Sequence, residues 1–320
     1  MDDVKDVVCI GAAVLDVFLK GAIFTPKTED NEQVEEFILG SKNDIDEVIF
    51  STGGGATNAA VTFARQGLDA AYMGKIGQDF SGQAVRQDLE KEHVDCTLLT
   101  ASHLGTGYST LLLSPNGERT ILTYRGASTH YEITEDDLKT FQTKWLYISS
   151  LEGNFEVIET LLLFAGEKGW KVAWNPGKKE LAHKEDVMPL LQHVEILSLN
   201  KEEMQQLFIG ETKEQLAEVA AKAVPISVVT DGPEGLAACD GQKLYVAGMY
   251  EDVPVIDRTG AGDAFCSGFT AAIIQGKSVQ DAITFGSANS TSVVGKIGAK
   301  AGILDEDASV HDMKIEVTSV

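Results

Sequence analysis

VIDRTGAGDAF, Val255 to Phe265, places one acid directly after three of the smallest residues and just ahead of an apolar run. Gly260, Ala261 and Gly262 are too small to fill a core, and Asp263 is too polar to lie in one without a partner. Read onward through AFCSGFTAAII, the stretch predicts a helix whose first turn is Gly260 to Gly262. The unpaired N–H groups of that turn, with the positive end of the helix dipole behind them, form a cradle for an anion. Asp263 has a second account as a simple helix cap. That account does not explain the small residues, which are needed if something must approach the backbone closely.

A second glycine cluster, STGGGATNAAVTFARQG, sets Gly53, Gly54 and Gly55 before a predicted helix that carries Asn58 early and ends at Gly67. A flexible connection with a capping asparagine and a ligand passing over bare backbone account for it equally well. Two nucleotide loops are excluded. AAIIQGKS (Ala271 to Ser278) has Ala271 where a P-loop needs its first glycine, and Gly276 fits a helix C-cap. GAGDAF has Phe265 where the dinucleotide fingerprint needs its third glycine, which argues against an oxidoreductase.

Outward from these clusters, β-branched runs such as VVCIGAAV, AAYMGKIG, WLYISSL, KVAWNP, VEILSLN and ISVVTDG alternate with amphipathic stretches such as KEQLAEVAAKAV. The alternation predicts an α/β fold, a three-layer α/β/α sandwich with a mostly parallel central sheet. Two segments break the rhythm. Asp16 to Ser51 is long, acidic and irregular, and Thr106 to Tyr124 reads as a hairpin around PNGE with its Asn116-Gly117 pair. Surface decoration is one reading; a small β-sheet lid built from both, about 16–51 and 106–124, is the other. The whole of 1–320 is expected to be one domain, with an acidic, solvated tail after Ile303.

The chain has 320 residues, 43% of them hydrophobic, enough for a large core. With 26 basic and 49 acidic residues its net charge is −23, which sets it against nucleic acid and anionic membranes as partners. Cys9, Cys96, Cys239 and Cys266 are scattered, without the spacing of a disulfide frame or a zinc site. No apolar run reaches membrane-spanning length, and MDDVKDVVCIG lacks signal-peptide features, so a cytoplasmic protein is expected.

In order and spacing these stretches resemble the ribokinase-like (PfkB) family of carbohydrate kinases over nearly the whole chain. The residues that carry the resemblance are GGGATNAAVTFARQG, GKIGQDFSG (Gly74 to Gly82) and DRTGAGDAFCSGF (Asp257 to Phe269), supported by Asp16, LSLNKEE, VVTDGPEG and GKIGAKAG. The resemblance implies transfer of the γ-phosphoryl group of ATP to a hydroxyl of a small sugar such as ribose, fructose or ketodeoxygluconate. Asp263 would be the base, and the backbone of Gly260, Ala261 and Gly262 the anion hole. Asn200 and Glu203 would order Mg²⁺ through water, and Asn200, Thr230 and Gly232 would contact the nucleotide. Asp16, Gly54, Gly55 and Asn58 would bind sugar hydroxyls.

Glu152 matches a sugar-contacting acid, with a plain surface turn as its alternative, and Arg125 would meet an acidic sugar or form a salt bridge. Asp257 and Thr259, with the backbone around Val293 and Gly298, match a monovalent-cation loop for K⁺, although Gly302 lacks a side chain that can complete it. Arg258 replaces a small hydroxyl residue and Gln78 an acid, both away from the chemistry. The lid segments hold no Lys and Arg cluster for a phosphosugar. A nucleoside kinase of the same family and a non-catalytic sugar or nucleotide sensor are the alternatives, and a homodimer through the lid is the expected assembly.

Overall fold

The computed structural model describes residues 4–29, 32–115, 119–250 and 254–320. Its central sheet has ten strands. From one edge these are Leu99–Ser102, Ala70–Gly77, Val4–Ile10, Gln142–Ile148, Lys171–Trp174, Ile196–Asn200 and Ile226–Thr230, all parallel to one another. Leu236–Cys239, Lys243–Ala247 and Ile315–Ser319 then close the other edge by antiparallel pairing. The last strand gives order to the expected tail, whose side chains are largely exposed. Its backbone completes the edge that Lys243–Ala247 would otherwise leave unpaired.

Period-two alternation produces the layers, because each buried strand sends successive side chains to opposite faces. Val7, Cys9, Tyr72 and Tyr147 meet the helices Gly55–Arg65, Phe80–Lys91, Ala261–Ile274 and Val279–Val294. Val8, Ile10, Leu146 and Ile148 meet Phe155–Lys168, Lys184–Leu190, Lys201–Leu207 and Lys213–Ala220 on the other face. Glycines stop two of these helices as their sequence suggests. Gly67 and Gly276 adopt positive φ, and Leu68 and Lys277 N–H close back onto Phe63 and Ala272 carbonyls.

A separate four-stranded sheet is ordered Glu47–Gly53, Val14–Lys20, Gly107–Leu113, Arg119–Tyr124. The apolar run VVCIGAAV therefore spans two sheets. It leaves the central sheet at Ile10 and enters the small one at Val14, turning at Gly11, where φ is 151° and a Cβ would overlap the Ser149 hydroxyl. The segment read as irregular from Asp16 to Ser51 begins and ends in strand, with Asp16 opposite Ser51. Thr106 to Tyr124 holds the expected antiparallel pair, while Asn116-Gly117 lies outside the described residues. No helix among the described residues is long and apolar enough to cross a membrane.

Candidate active site

The helix Ala261–Ile274 starts where the sequence suggests, with one refinement: Gly260 precedes its first turn as the N-cap, in the left-handed region at φ 78°. A Cβ there would collide with Ala299, and a left-handed backbone also favours glycine. Among the described residues no side chain caps the helix. The N–H groups of Gly262 and Asp263 have no acceptor among the described residues, and Gly262 faces open space. Asp263 is therefore not the cap. Its Oδ2 accepts a 2.8 Å hydrogen bond from Asn58 Nδ2, and its Oδ1 lies 3.3 Å from where a Cβ on Gly55 would stand. Burial pushes the Asp263 carboxyl up, opposed by the Asn58 hydrogen bond.

Asn58 is no cap either. It sits inside the helix Gly55–Arg65, whose N-cap is Gly54, and its Oδ1 is buried with no partner among the described residues. An orphaned buried acceptor beside Asp263 is an incomplete polar site awaiting a donor. Gly54 has φ 103°, and a Cβ would overlap the Ala12 carbonyl. On Gly53 a Cβ would overlap the carboxylate of Asp16. The glycine cluster is thus the floor on which Asp16 and Asp263 come together.

Asp16 is 7% exposed and accepts a hydrogen bond from Ser109. Burial pushes its carboxyl up to about 6; Ser109 and Lys300 pull the other way, and Asp257 and Asp263 add to the rise. Lys300 is a residue that the sequence reading missed. It is 5% exposed, and its Nζ donates to Thr52 Oγ1 at 2.7 Å and to Asp88 Oδ2 at 3.1 Å. A lysine in a glycine-rich loop carries no sequence signal of burial.

Arg125 and Glu152 meet each other: Arg125 Nη1 lies 3.2 Å from Glu152 Oε1, and Lys179 Nζ lies 3.0 Å from Oε2. Glu152 is therefore not a plain surface turn; its side chain is 10% exposed and its φ is 58°. It sits three residues beyond Ser149, whose side chain is in turn packed against Gly11 and Gly55.

On the opposite side of Asp263, Asn200 and Thr230 end adjacent parallel strands and stand in register. Asn200 and Glu203 form a reciprocal capping box, with Asn200 Oδ1 accepting from Glu203 N at 2.9 Å and Glu203 Oε2 from Asn200 N at 3.1 Å. One carboxylate oxygen of Glu203 and the Asn200 side-chain Nδ2 remain outside the box. Burial raises the Glu203 carboxyl, while the Asn200 backbone and Lys178 oppose the shift and Asp263 adds to it.

A cleft of about 210 Å³ runs from Thr230 and Gly232 to Ala261 and Gly262. Its apolar walls include Met249, Val255, Phe265 and Val294, none of which the sequence reading assigned to a ligand. Arg258 also lines it, which corrects the expectation that this residue stands clear of the site.

The carboxylate of Asp257 is buried and takes 2.7 and 3.0 Å bonds from Thr259 Oγ1 and N, and a 3.0 Å bond from Gly298 N. Gly302 has no room for a side chain, since a Cβ would overlap the Ser292 carbonyl. These residues form a closed hydrogen-bonded turn, and a cation would be held only by the lone pairs they leave over.

The family model for pfkB family carbohydrate kinases matches residues 4–306. A ribokinase of Haemophilus influenzae is 29% identical over 262 residues, 78% of this chain and 83% of its own. Arabidopsis thaliana ribokinase, complexed with ribose and ATP, superposes with a TM-score of 0.77 at 21% identity, over 95% of this chain and 97% of its own. A nucleoside kinase of Methanocaldococcus jannaschii superposes at 0.74 and 20% identity, over 96% of this chain and 97% of its own.

Proposed function

The chain belongs to the pfkB family of carbohydrate kinases, phosphotransferases that act on a sugar hydroxyl, and from that premise we propose that it moves the γ-phosphoryl group of ATP to a small free sugar. The observation that carries this reading is the placement of Asp263. Its carboxylate is held by Asn58 on the acceptor side and follows, one residue on, the open N–H groups of a helix start. Asp263 takes the proton of the attacking hydroxyl, and burial, by raising its carboxyl, makes it a stronger base than an exposed aspartate. The open N–H groups of Gly262 and Asp263, at the end of the Gly260–Gly262 turn, meet the charge that grows on the transferred group, while the Ala261 N–H is held by the Arg258 carbonyl.

Asp16, Gly54, Gly55 and Asn58 hold the sugar. Asp16 accepts from two hydroxyls and the orphaned Asn58 Oδ1 from a third donor. Glu152 and Arg125 face the far side of the acceptor. The apolar cleft takes the adenine, with Thr230 and Gly232 at its rim, and Arg258 supplies a cation for the phosphates in a chain of net charge −23. Mg²⁺, when bound, neutralises phosphate charge; the unused carboxylate oxygen of Glu203 and the Asn200 side chain would orient its water ligands. For K⁺ the fit is poorer, because Asp257 is already engaged and Gly302 adds no ligand.

The small sheet acts as a lid over the acceptor. Phe50, Ile121, Leu122 and Tyr124 are exposed on it, which supports a homodimer formed through that sheet. Four buried free cysteines suit a reducing, cytoplasmic setting, and the net charge disfavours nucleic acid and membrane partners. A coupled ADP-release assay across free sugars, sugar acids and nucleosides tests the reading. Turnover with a sugar supports it. Turnover with nucleosides alone identifies a nucleoside kinase, and ligand binding without any turnover identifies a sensor.

A further inference from the structure

Two non-glycine residues among the described ones have positive φ, His93 and Glu152, and only Glu152 lies at the site. Left-handed backbone costs a non-glycine residue about 1–2 kcal/mol, so it persists only where the surroundings impose it. Here they do so through one side chain. Glu180 is fully buried, and its Oε1 accepts from Leu151 N at 2.6 Å and from Gly153 N at 3.1 Å, the N–H groups of the two residues on either side of Glu152. Its Oε2 accepts from Ser150 Oγ at 2.9 Å and from Gly177 N at 3.0 Å. Among the described residues no cation pairs with Glu180; neutral donors from two loops satisfy it. A carboxylate is the side chain able to accept at both oxygens at once, since an amide would turn a donor toward one of these N–H groups.

We propose that Glu180 is a positioning residue for the acceptor: by gripping both sides of Glu152 it presents that carboxylate to Arg125, at the end of the lid hairpin, and to Lys179. The proposal rests on the reading that the acceptor meets Glu152. Glu180 itself touches neither substrate. Its effect reaches the acceptor through the backbone of residues 150–153, and through the Arg125–Glu152 pair it ties the small sheet to the central one.

The test is a double-mutant cycle on steady-state kinetics with Glu180→Gln, Glu152→Gly and the double variant. Glycine suits φ 58° and leaves the loop able to fold. Glu180→Gln is expected to raise the acceptor KM about tenfold while the ATP KM changes less than about twofold, a split that general destabilisation does not produce. Glu152→Gly is expected to raise the acceptor KM as well, and the double variant to be no worse than Glu152→Gly alone. If Glu180→Gln and Glu152→Gly add independently, or if both KM values move together, the positioning role is overturned. If Glu152→Gly leaves the acceptor KM unchanged, the acceptor reading of Glu152 is what fails, and the inference fails with it. Should Glu180→Gln not accumulate as folded protein, Ser150→Ala removes one contact and should raise the acceptor KM in the same direction; no rise overturns the proposal.

Discussion

Replacing Asp16 with asparagine should make the protein more stable and its acceptor binding worse. In the folded chain burial lifts the Asp16 carboxyl from 3.8 to about 6, so ionising it inside the protein costs about 3 kcal/mol more than in the unfolded chain. The sign follows from proton counting. Below pH 3.8 both states are protonated and the group contributes nothing. Between 3.8 and about 6 the unfolded chain has released its proton and the folded one has not, so stability falls as pH rises; above about 6 the full cost is present. Asp16→Asn removes the charge and should gain up to about 3 kcal/mol at pH 7.5, a gain that shrinks toward zero near pH 4. Chemical denaturation at pH 7.5, 6 and 5 measures it. The same variant should raise the acceptor KM at least about tenfold, because a carboxylate accepting two hydroxyls becomes an amide, with little change in the ATP KM. In the unaltered enzyme kcat/KM for the acceptor should fall below about pH 6 as Asp16 protonates. A variant equally or less stable than the parent at every pH would refute the reasoning that Asp16 is held charged against its surroundings.

Gly262→Ala should fold with unchanged or slightly raised stability, since a Cβ there meets nothing and alanine favours helix, yet kcat/KM for ATP should drop at least about tenfold because the methyl enters the phosphate cradle; normal turnover would remove the close-approach argument. Arg258→Ala should raise the ATP KM about tenfold and leave the acceptor KM alone, which initial-rate kinetics will show. Hydrogen exchange should slow in Val14–Lys20, Glu47–Gly53 and Gly107–Leu113 when acceptor is added, and equal exchange in both states would deny the small sheet its role as a lid.

How far the site is legible in the sequence depends on the kind of signal each residue leaves. GAGD is visible because close backbone approach explains its small residues where a helix cap does not, GGG stays open between a flexible connection and a ligand floor, and the structure brings the two clusters together through Gly55, Asn58 and Asp263. That Asn58 would bond Asp263, 205 residues away, is invisible without the fold. Lys300 and Glu180 were missed for a related reason. A Lys in a loop and a Glu early in a short helix look solvated, and only tertiary packing buries them. The apolar cleft residues Met249 and Phe265 read as core or loop until the cleft beside Gly262 appears. Alternation set the parallel sheet correctly, whereas Ile315–Ser319 was hidden by the acidic stretch before it and by pairing on an edge strand.

The central claim is that Asp263 is the base and that the helix start beside it binds the transferred group. Asp263→Asn keeps the size of the side chain and the helix it stands in, and removes the base. The decisive measurement is kcat of this variant beside its ATP affinity and its thermal stability. The account predicts that kcat falls by roughly 10² to 10⁴ while ATP binding stays close to that of the parent and the unfolding temperature holds or rises, since burial opposes the Asp263 charge as it does that of Asp16. Near-normal turnover by the folded variant would contradict it.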